Sequence, residues 1–267
     1  MHSVVKKEPI NTTPLVSIIT PLFNAEKYIA QTLQSVQQQD YSNWEHIIVN
    51  DASQDTSEEI VKKTAEKDPR VQLISLSKNK GAAYCRNHAT ELAQGDYIAF
   101  LDSDDLWHPE KLTKQIDFMQ TNDCEVSYTS YLHIDEAGES LHKRIRALDQ
   151  LPYKKQLRNN YIGNLTGIYQ ASTLGKIVAP PIRKRQDWAV WLMAIKKSGK
   201  PALGLVEDLA YYRVRQGSIS SNKLALIPHN FKFYRSHLGY SWGASVYRLL
   251  RFFWEYFVVR PKNIEKV

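Results

Sequence analysis

Asp102-Ser103-Asp104-Asp105 directly follows the apolar run at residues 97–101 and concentrates three carboxylates in four positions. At the carboxyl end of a buried strand such groups repel one another unless a cation neutralises them. Oxygen-only donors suit Mg²⁺ or Mn²⁺, and Mg²⁺ keeps waters and phosphate oxygens in its shell, so the implied ligand is a diphosphate. The same residues also read as a solvated acidic turn capping a helix that starts near Pro109. Asn24 and Asp51 each follow an apolar run. Asp51 can accept hydrogen bonds from a base or ribose, although Asn and Asp at such places also simply make turns. Arg86, after Asn79-Lys80-Gly81, offers a guanidinium that pairs bidentately with phosphate, or is a surface residue of a helix. Neither a P-loop nor a G-x-G-x-x-G fingerprint is present, which excludes those two modes of phosphate binding.

The elements that must position these groups follow from hydrophobic periodicity. Short β-rich runs at 15–20, 45–49, 71–76 and 97–101 alternate with helical patterns at 26–39, 56–67 and 82–93, as in parallel βαβ units. Near-continuous apolar strands belong to a sheet covered on both faces. A doubly wound α/β sheet follows, with ligands beyond the carboxyl ends of its strands, where all the groups above lie. After Asp105 the pattern predicts a helix over 109–119, a strand over 125–134, a turn at 135–138, a helix over 187–197, strand-like runs over 202–214 and a Ser/Gly-rich linker at 216–222.

Taken in order, residues 14–24 (PLVSIITPLFN), 47–53 (IIVNDAS), 79–81 (NKG), Arg86-Asn87 and 95–105 (GDYIAFLDSDD) resemble family 2 glycosyltransferases, over roughly 14–112 with weaker echoes to about 222. The resemblance implies an α/β GT-A nucleotide-diphospho-sugar transferase fold, a Rossmann-like mixed sheet with helices on both faces. It further implies a nucleotide-sugar donor, UDP-linked, a divalent metal, Mg²⁺ or Mn²⁺, and inversion at the anomeric carbon. Carried over by position, Pro21, Phe23, Asn24, Glu26 and Asp51 cradle the nucleoside, Arg86 and Asp102 complete the nucleotide-sugar site, and Asp102 with Asp104 serves the metal. Inverting transfer needs a general base but no protein nucleophile. Asp187 is the candidate, in Arg185-Gln186-Asp187-Trp188, where the family usually carries an acidic pair and this chain has Gln186 first. Its bland reading is a carboxylate favoured by the helix dipole; Glu207 and Asp208 are the reserves. Asn164 and Thr166 stand where such enzymes place an acceptor-side loop, or form a plain polar turn. Arg213 and the Ser-rich 216–221 stretch fall where an Arg and a Ser help to bind diphosphate. The acceptor class implied is a hydroxyl of a bacterial surface glycan, such as lipopolysaccharide or capsule, or of a lipid-linked intermediate.

Composition sets the outer bounds. The chain has 267 residues, 43% hydrophobic and 24% charged, which excludes disorder and polytopic membrane classes. Cys85 and Cys124 are too few for a disulfide scaffold and lack metal-ligand spacing. The net charge of +7 is uneven: residues 223–267 hold eight Lys or Arg against two Glu, with 11 of the 29 aromatic residues. The expected division is a near-neutral catalytic domain at 1–222 and a basic, aromatic helical tail at 223–267. Residues 249–259 are too few and too charged to span a bilayer, which takes about 20 residues. They suit an amphipathic helix lying on an anionic membrane surface, or one packed on the body or on a second copy in a homo-oligomer. The expected setting is cytoplasmic, peripheral at the inner face of the membrane, with no signal peptide at 1–14 and no nucleic-acid partner. Two further readings stand beside this one: a nucleotidyltransferase acting on sugar phosphates, and a non-catalytic membrane-associated adaptor.

Overall fold

The computed structural model describes residues 13–182, 184–215 and 227–267. β1 (Val16–Leu22) leads to α1 (Ile29–Gln37), β2 (Trp44–Asn50) to α2 (Ser57–Ala65), and β3 (Val71–Ser75) to α3 (Ala82–Leu92) and β4 (Tyr97–Phe100). These strands lie side by side in the order β3-β2-β1-β4, all parallel. β2 and β4 are buried along their whole length, as continuous apolar runs require. α1 turns Ile29, Leu33 and Val36 into the core, the face that its spacing predicts. Register aligns Leu22 with Asn50 and Asn50 with Ser75, so the chain leaves the three strands along one edge.

The second half converts this sheet from parallel to mixed. β5 (Leu106–Trp107), α4 (Lys111–Thr121), β6 (Val126–Ile134), β7 (Ser140–Ile145), β8 (Gln150–Leu151), α5 (Tyr153–Gln156), β9 (Ile168–Gln170), α6 (Ala171–Leu174), α7 (Gln186–Ser198) and β10 (Ala202–Arg213) follow in turn. β9 runs antiparallel beside β4 and β6, whereas β10 runs parallel to β6. β8 and β9 are short and β7 is largely exposed, so they lack the apolar runs that mark strands in sequence.

The expected linker at 216–222 lies outside the described residues. From Ile227 the chain forms α8 (Ile227–Lys232), a π-helical turn at Phe233–His237, α9 (Trp242–Trp254), a second π-helical turn at Glu255–Val259 and β11 (Ile264–Lys266). Ser241 caps α9 by accepting from the Ala244 amide. Phe233, Tyr234 and Phe252 bury against Trp188, Ala189 and Leu192 of α7, with Phe233 stacked on Trp188 at 4.6 Å between centroids. β11 then pairs antiparallel with β7. The segment expected as a helical tail is thus packed on the body and ends as an edge strand of the main sheet. Its other face is different: Trp242, Tyr247, Leu250, Trp254 and Phe257 are each about three-fifths exposed or more. Among the described residues no helix is long and apolar enough to cross a membrane.

One buried polar link crosses the parallel strands. Thr20 Oγ1 donates to the Leu101 carbonyl at 2.7 Å and lies 2.8 Å from His46 Nε2. A hydroxyl has one proton to give, so Thr20 accepts from a protonated Nε2, which fixes the tautomer of His46. The link ends on the carbonyl just before Asp102. Burial lowers the His46 pKa from 6.5 to about 3. The unfolded chain therefore takes up a proton below pH 6.5 that the native state refuses until about pH 3. Its contribution to stability is complete above pH 6.5 and falls with acid by about 1.4 kcal/mol per pH unit. His46→Gln should be less stable than the parent at pH 7.5, and denaturant titrations should show this gap narrowing steadily toward pH 4.5. A gap independent of pH would contradict a neutral, buried His46.

Candidate active site

The turn after β4 sends its carboxylates in different directions. Asp105 is buried and accepts from the Arg213 amide at 2.9 Å, while its carbonyl takes the Thr32 hydroxyl. Burial first, then the charges of Asp104 and Asp102, push its carboxyl well above the ordinary range, so Asp105 anchors the turn. Asp104 pairs with Arg215 at 2.7 Å, and burial and Asp102 raise its pKa against that pull. Asp102 accepts from Arg86 Nη2 at 2.6 Å and from Asn164 Nδ2 at 3.3 Å.

A divalent cation fits this donor set. Asp102 and Asp104 supply hard oxygens, and burial first, then the charge of Asp102, raises the Asp104 pKa despite Arg215. Among the described residues no group of three or more His, Cys, Asp or Glu could hold a metal unaided. The ion would complete its shell with phosphate and water oxygens, as Mg²⁺ and Mn²⁺ do.

The loops after β1 and β2 are laced together into one wall. Asn24, at φ 47°, accepts from the Gln54 amide at 2.8 Å, and its own amide donates to Ser53 Oγ. Glu26 accepts from the amide and hydroxyl of Thr56. Pro21 lies in β1 and Phe23 is half-exposed just beyond it. Asp51 differs from the expectation of an open ligand for base or ribose. It is buried, and its two oxygens accept from the amides of Lys80 at 2.6 Å and Gly81 at 2.8 Å. Asp51 therefore sets the loop after β3. An open cleft beside this wall is bordered by Asn24, Glu26, Tyr28, Asp55, Glu136 and Arg215.

Arg86 links the two halves of the site. Its Nη2 holds Asp102 and its Nη1 reaches Gln186 Oε1 at 3.4 Å, so it is a tie between them and not the open phosphate donor expected. Burial opposes its charge, but Asp102 prevails and raises its pKa. The side-chain carbonyl of Gln186 is thus the acceptor for Arg86. Asp187 stands in the first turn of α7 and accepts from Asn160 Nδ2 at 2.7 Å. It lines one small cavity with Arg86, Asn164, Gln186 and Phe100.

Other expectations are corrected by burial. Thr166 is fully buried and donates to the Gly163 carbonyl, because the 3₁₀ turn at Asn164–Thr166 directs Asn164 to the cavity and Thr166 into the core. Gly167 closes that turn against Trp191, where a Cβ would come within 2.3 Å of the ring. Arg213 is buried, and it donates to the carbonyls of Asp104, Asp135 and Glu136, so it holds the fold and not a diphosphate. Arg215, two residues on, is the guanidinium at Asp104, and the Arg213-Val214-Arg215 alternation was the available signal for it. Glu207 and Asp208 are engaged elsewhere, by Lys114 and Arg144.

Known proteins are similar to this chain in sequence and in fold. The family profile described as Glycosyl transferase family 2 matches residues 17–176. The chain is 46% identical over 213 residues to the protein of Bacillus subtilis named as teichuronic acid biosynthesis glycosyltransferase TuaG, covering 80% of this chain and 84% of that one. It is 37% identical over 209 residues to the UDP-Glc:alpha-D-GlcNAc-diphosphoundecaprenol beta-1,3-glucosyltransferase WfgD of Escherichia coli, covering 78% and 81%. Among solved structures, S. aureus TarS 1-349 in complex with UDP-GlcNAc superposes with a TM-score of 0.71 at 22% identity, over 91% of this chain and 73% of that one. The mannosyltransferase PcManGT of Pyrobaculum calidifontis, in complex with GDP-Man and Mn²⁺, gives 0.65 at 17% identity, over 95% and 72%. These two likenesses establish the GT-A fold.

Proposed function

The chain belongs to glycosyl transferase family 2 and is a glycosyltransferase, and from that premise we propose that it moves a sugar, with inversion, from a UDP-sugar to a hydroxyl of a lipid-linked or polymeric surface glycan. Membership sets aside the nucleotidyltransferase and adaptor readings. The observation that carries the proposal is the tie through Arg86, which joins Asp102, on the donor side, to Gln186 beside Asp187. The UDP-GlcNAc complex of TarS supports the donor class, and the name of WfgD, with its undecaprenol-linked acceptor, supports the acceptor class.

In this reading Phe23, Asn24 and Glu26 border the nucleoside and Asp51 shapes the floor beneath it. Asp102 and Asp104 would hold Mg²⁺ or Mn²⁺, which when bound would supply positive charge against the leaving diphosphate. Asp187 takes the proton of the acceptor hydroxyl while that oxygen forms its bond to the anomeric carbon. The carbon–phosphate-oxygen bond breaks on the opposite side, and its electron pair leaves with UDP. Asn164, at the same cavity, orients the acceptor. The catalytic machinery belongs to residues 1–222. Asp104→Asn should lose metal-dependent turnover by about 100-fold, and Asp187→Asn should lose transfer by a similar factor. Both should keep their far-UV spectrum, and Asp187→Asn should still bind UDP by calorimetry. Full turnover of Asp187→Asn would remove it as the base.

The outward stripe of Trp242, Tyr247, Leu250, Trp254 and Phe257, with Lys232, Arg235 and Lys262 exposed on the same segment, suits the interface of an anionic membrane. Docking there brings a cytoplasmic enzyme to lipid-linked acceptors at the inner face. Leu250→Glu with Trp254→Glu should abolish co-sedimentation with phosphatidylglycerol vesicles and leave thermal stability unchanged, since both side chains are exposed. Undiminished binding would place the contact elsewhere.

A further inference from the structure

The inward face of the same C-terminal segment reaches the surroundings of Asp187 by two routes. Along the first, Arg260 Nη1 donates to Asn159 Oδ1 and to the Asn160 carbonyl, both at 2.5 Å. Asn160 in turn donates to Asp187 Oδ2 at 2.7 Å and accepts from Gln156 Nε2 at 2.8 Å, which fixes its amide orientation. Glu255 braces the same loop. It is 1% exposed, and it accepts from Tyr161 OH at 2.5 Å and pairs with Lys155 at 2.6 Å. A buried carboxylate without such partners is strongly unfavourable, so this bracing fixes the loop against the segment.

The second route reaches the chain on the other side of Asp187. Arg185 adopts a left-handed backbone, φ 71° and ψ 22°, at the N-cap of α7. A non-glycine residue keeps that conformation only where its surroundings hold it. Here they do: Nε donates to the buried Asn230 Oδ1 at 2.7 Å, and the guanidinium lies 5.6 Å from the Phe252 ring centroid. Asn230, Phe252, Glu255 and Arg260 all belong to the C-terminal segment, and none of them lines the cavity at Asp187.

We infer that the C-terminal segment positions the base: Arg260, acting through Asn160, sets the direction of the Asp187 carboxylate. The inference rests on the reading of Asp187 as the base. Arg260 touches no reacting group and is a positioning residue. Arg260→Met keeps the aliphatic stem and removes the donors. It should lower kcat for transfer about tenfold, the usual cost of losing a supporting hydrogen bond, with KM for the UDP-sugar and the melting temperature unchanged. Arg260→Lys should recover most of that loss. Asn160→Asp keeps the shape and the bond from Gln156 but sets a second carboxylate against Asp187, and it should lose transfer while UDP binding persists. This variant decides the matter if Arg260→Met does not fold. Wild-type kcat in Arg260→Met overturns the inference whatever Asn160→Asp shows, as does a loss in Arg260→Met that tracks melting temperature and is not recovered by Lys. Asp187→Asn, assayed alongside, separates the two failures. If it transfers normally, the base reading falls and the positioning role with it. If it is inactive while Arg260→Met and Asn160→Asp are normal, only the positioning role falls.

Discussion

Three carboxylates in four residues, at the mouth of a buried sheet, repel one another, and much of the site is arranged around that repulsion. Asp105 escapes by turning inward to the Arg213 amide, where burial favours its neutral form. Arg86 pairs with Asp102 and Arg215 with Asp104. The shared register of the parallel strands delivers every loop to the same edge, and the His46–Thr20–Leu101 link ties β2, β1 and the end of β4 together beneath Asp102.

A site on strand ends alone would supply one side of a transfer reaction. In the proposed function the other side comes from later in the chain, where Asn164 and α7 line one cavity. Arg86 spans the gap between them, and the C-terminal segment supports the far wall through Arg260 and Asn230. That segment has opposed faces, one built into the protein core and one presenting aromatic rings to the outside. In the proposed function both faces have a use: the outward one would meet the membrane and the inward one would support the acceptor side.

The alternation of strands and helices, and the strand-end carboxylates, were legible in the sequence because they depend on local periodicity. The elements of the first third fall within a few residues of the pattern. The roles within polar motifs were less legible. Thr166 and Asn164 share a turn, Arg213 and Arg215 share a strand end, and which of each pair faces inward depends on partners far away in the chain, Gly167 against Trp191 and Asp104 against Arg215. Asp51 was read as open to ligand because its partners, the amides of Lys80 and Gly81, carry no side-chain signal. Strands β7, β9 and β11 were missed because β9 and β11 have only three residues each and β7 and β11 present mostly exposed or polar residues. The tail had the right composition for two alternative roles, packing and surface docking, and composition cannot separate the faces of a helix.

The proposed function requires a single displacement, with Asp187 as base on the face opposite the leaving diphosphate. The anomeric configuration of the first product, read by proton NMR before any mutarotation, tests this most directly. From an α-linked UDP-sugar the account predicts a β-glycoside. An α-glycoside would mean that the configuration is retained and would contradict the placement of Asp187 as the base of a direct attack.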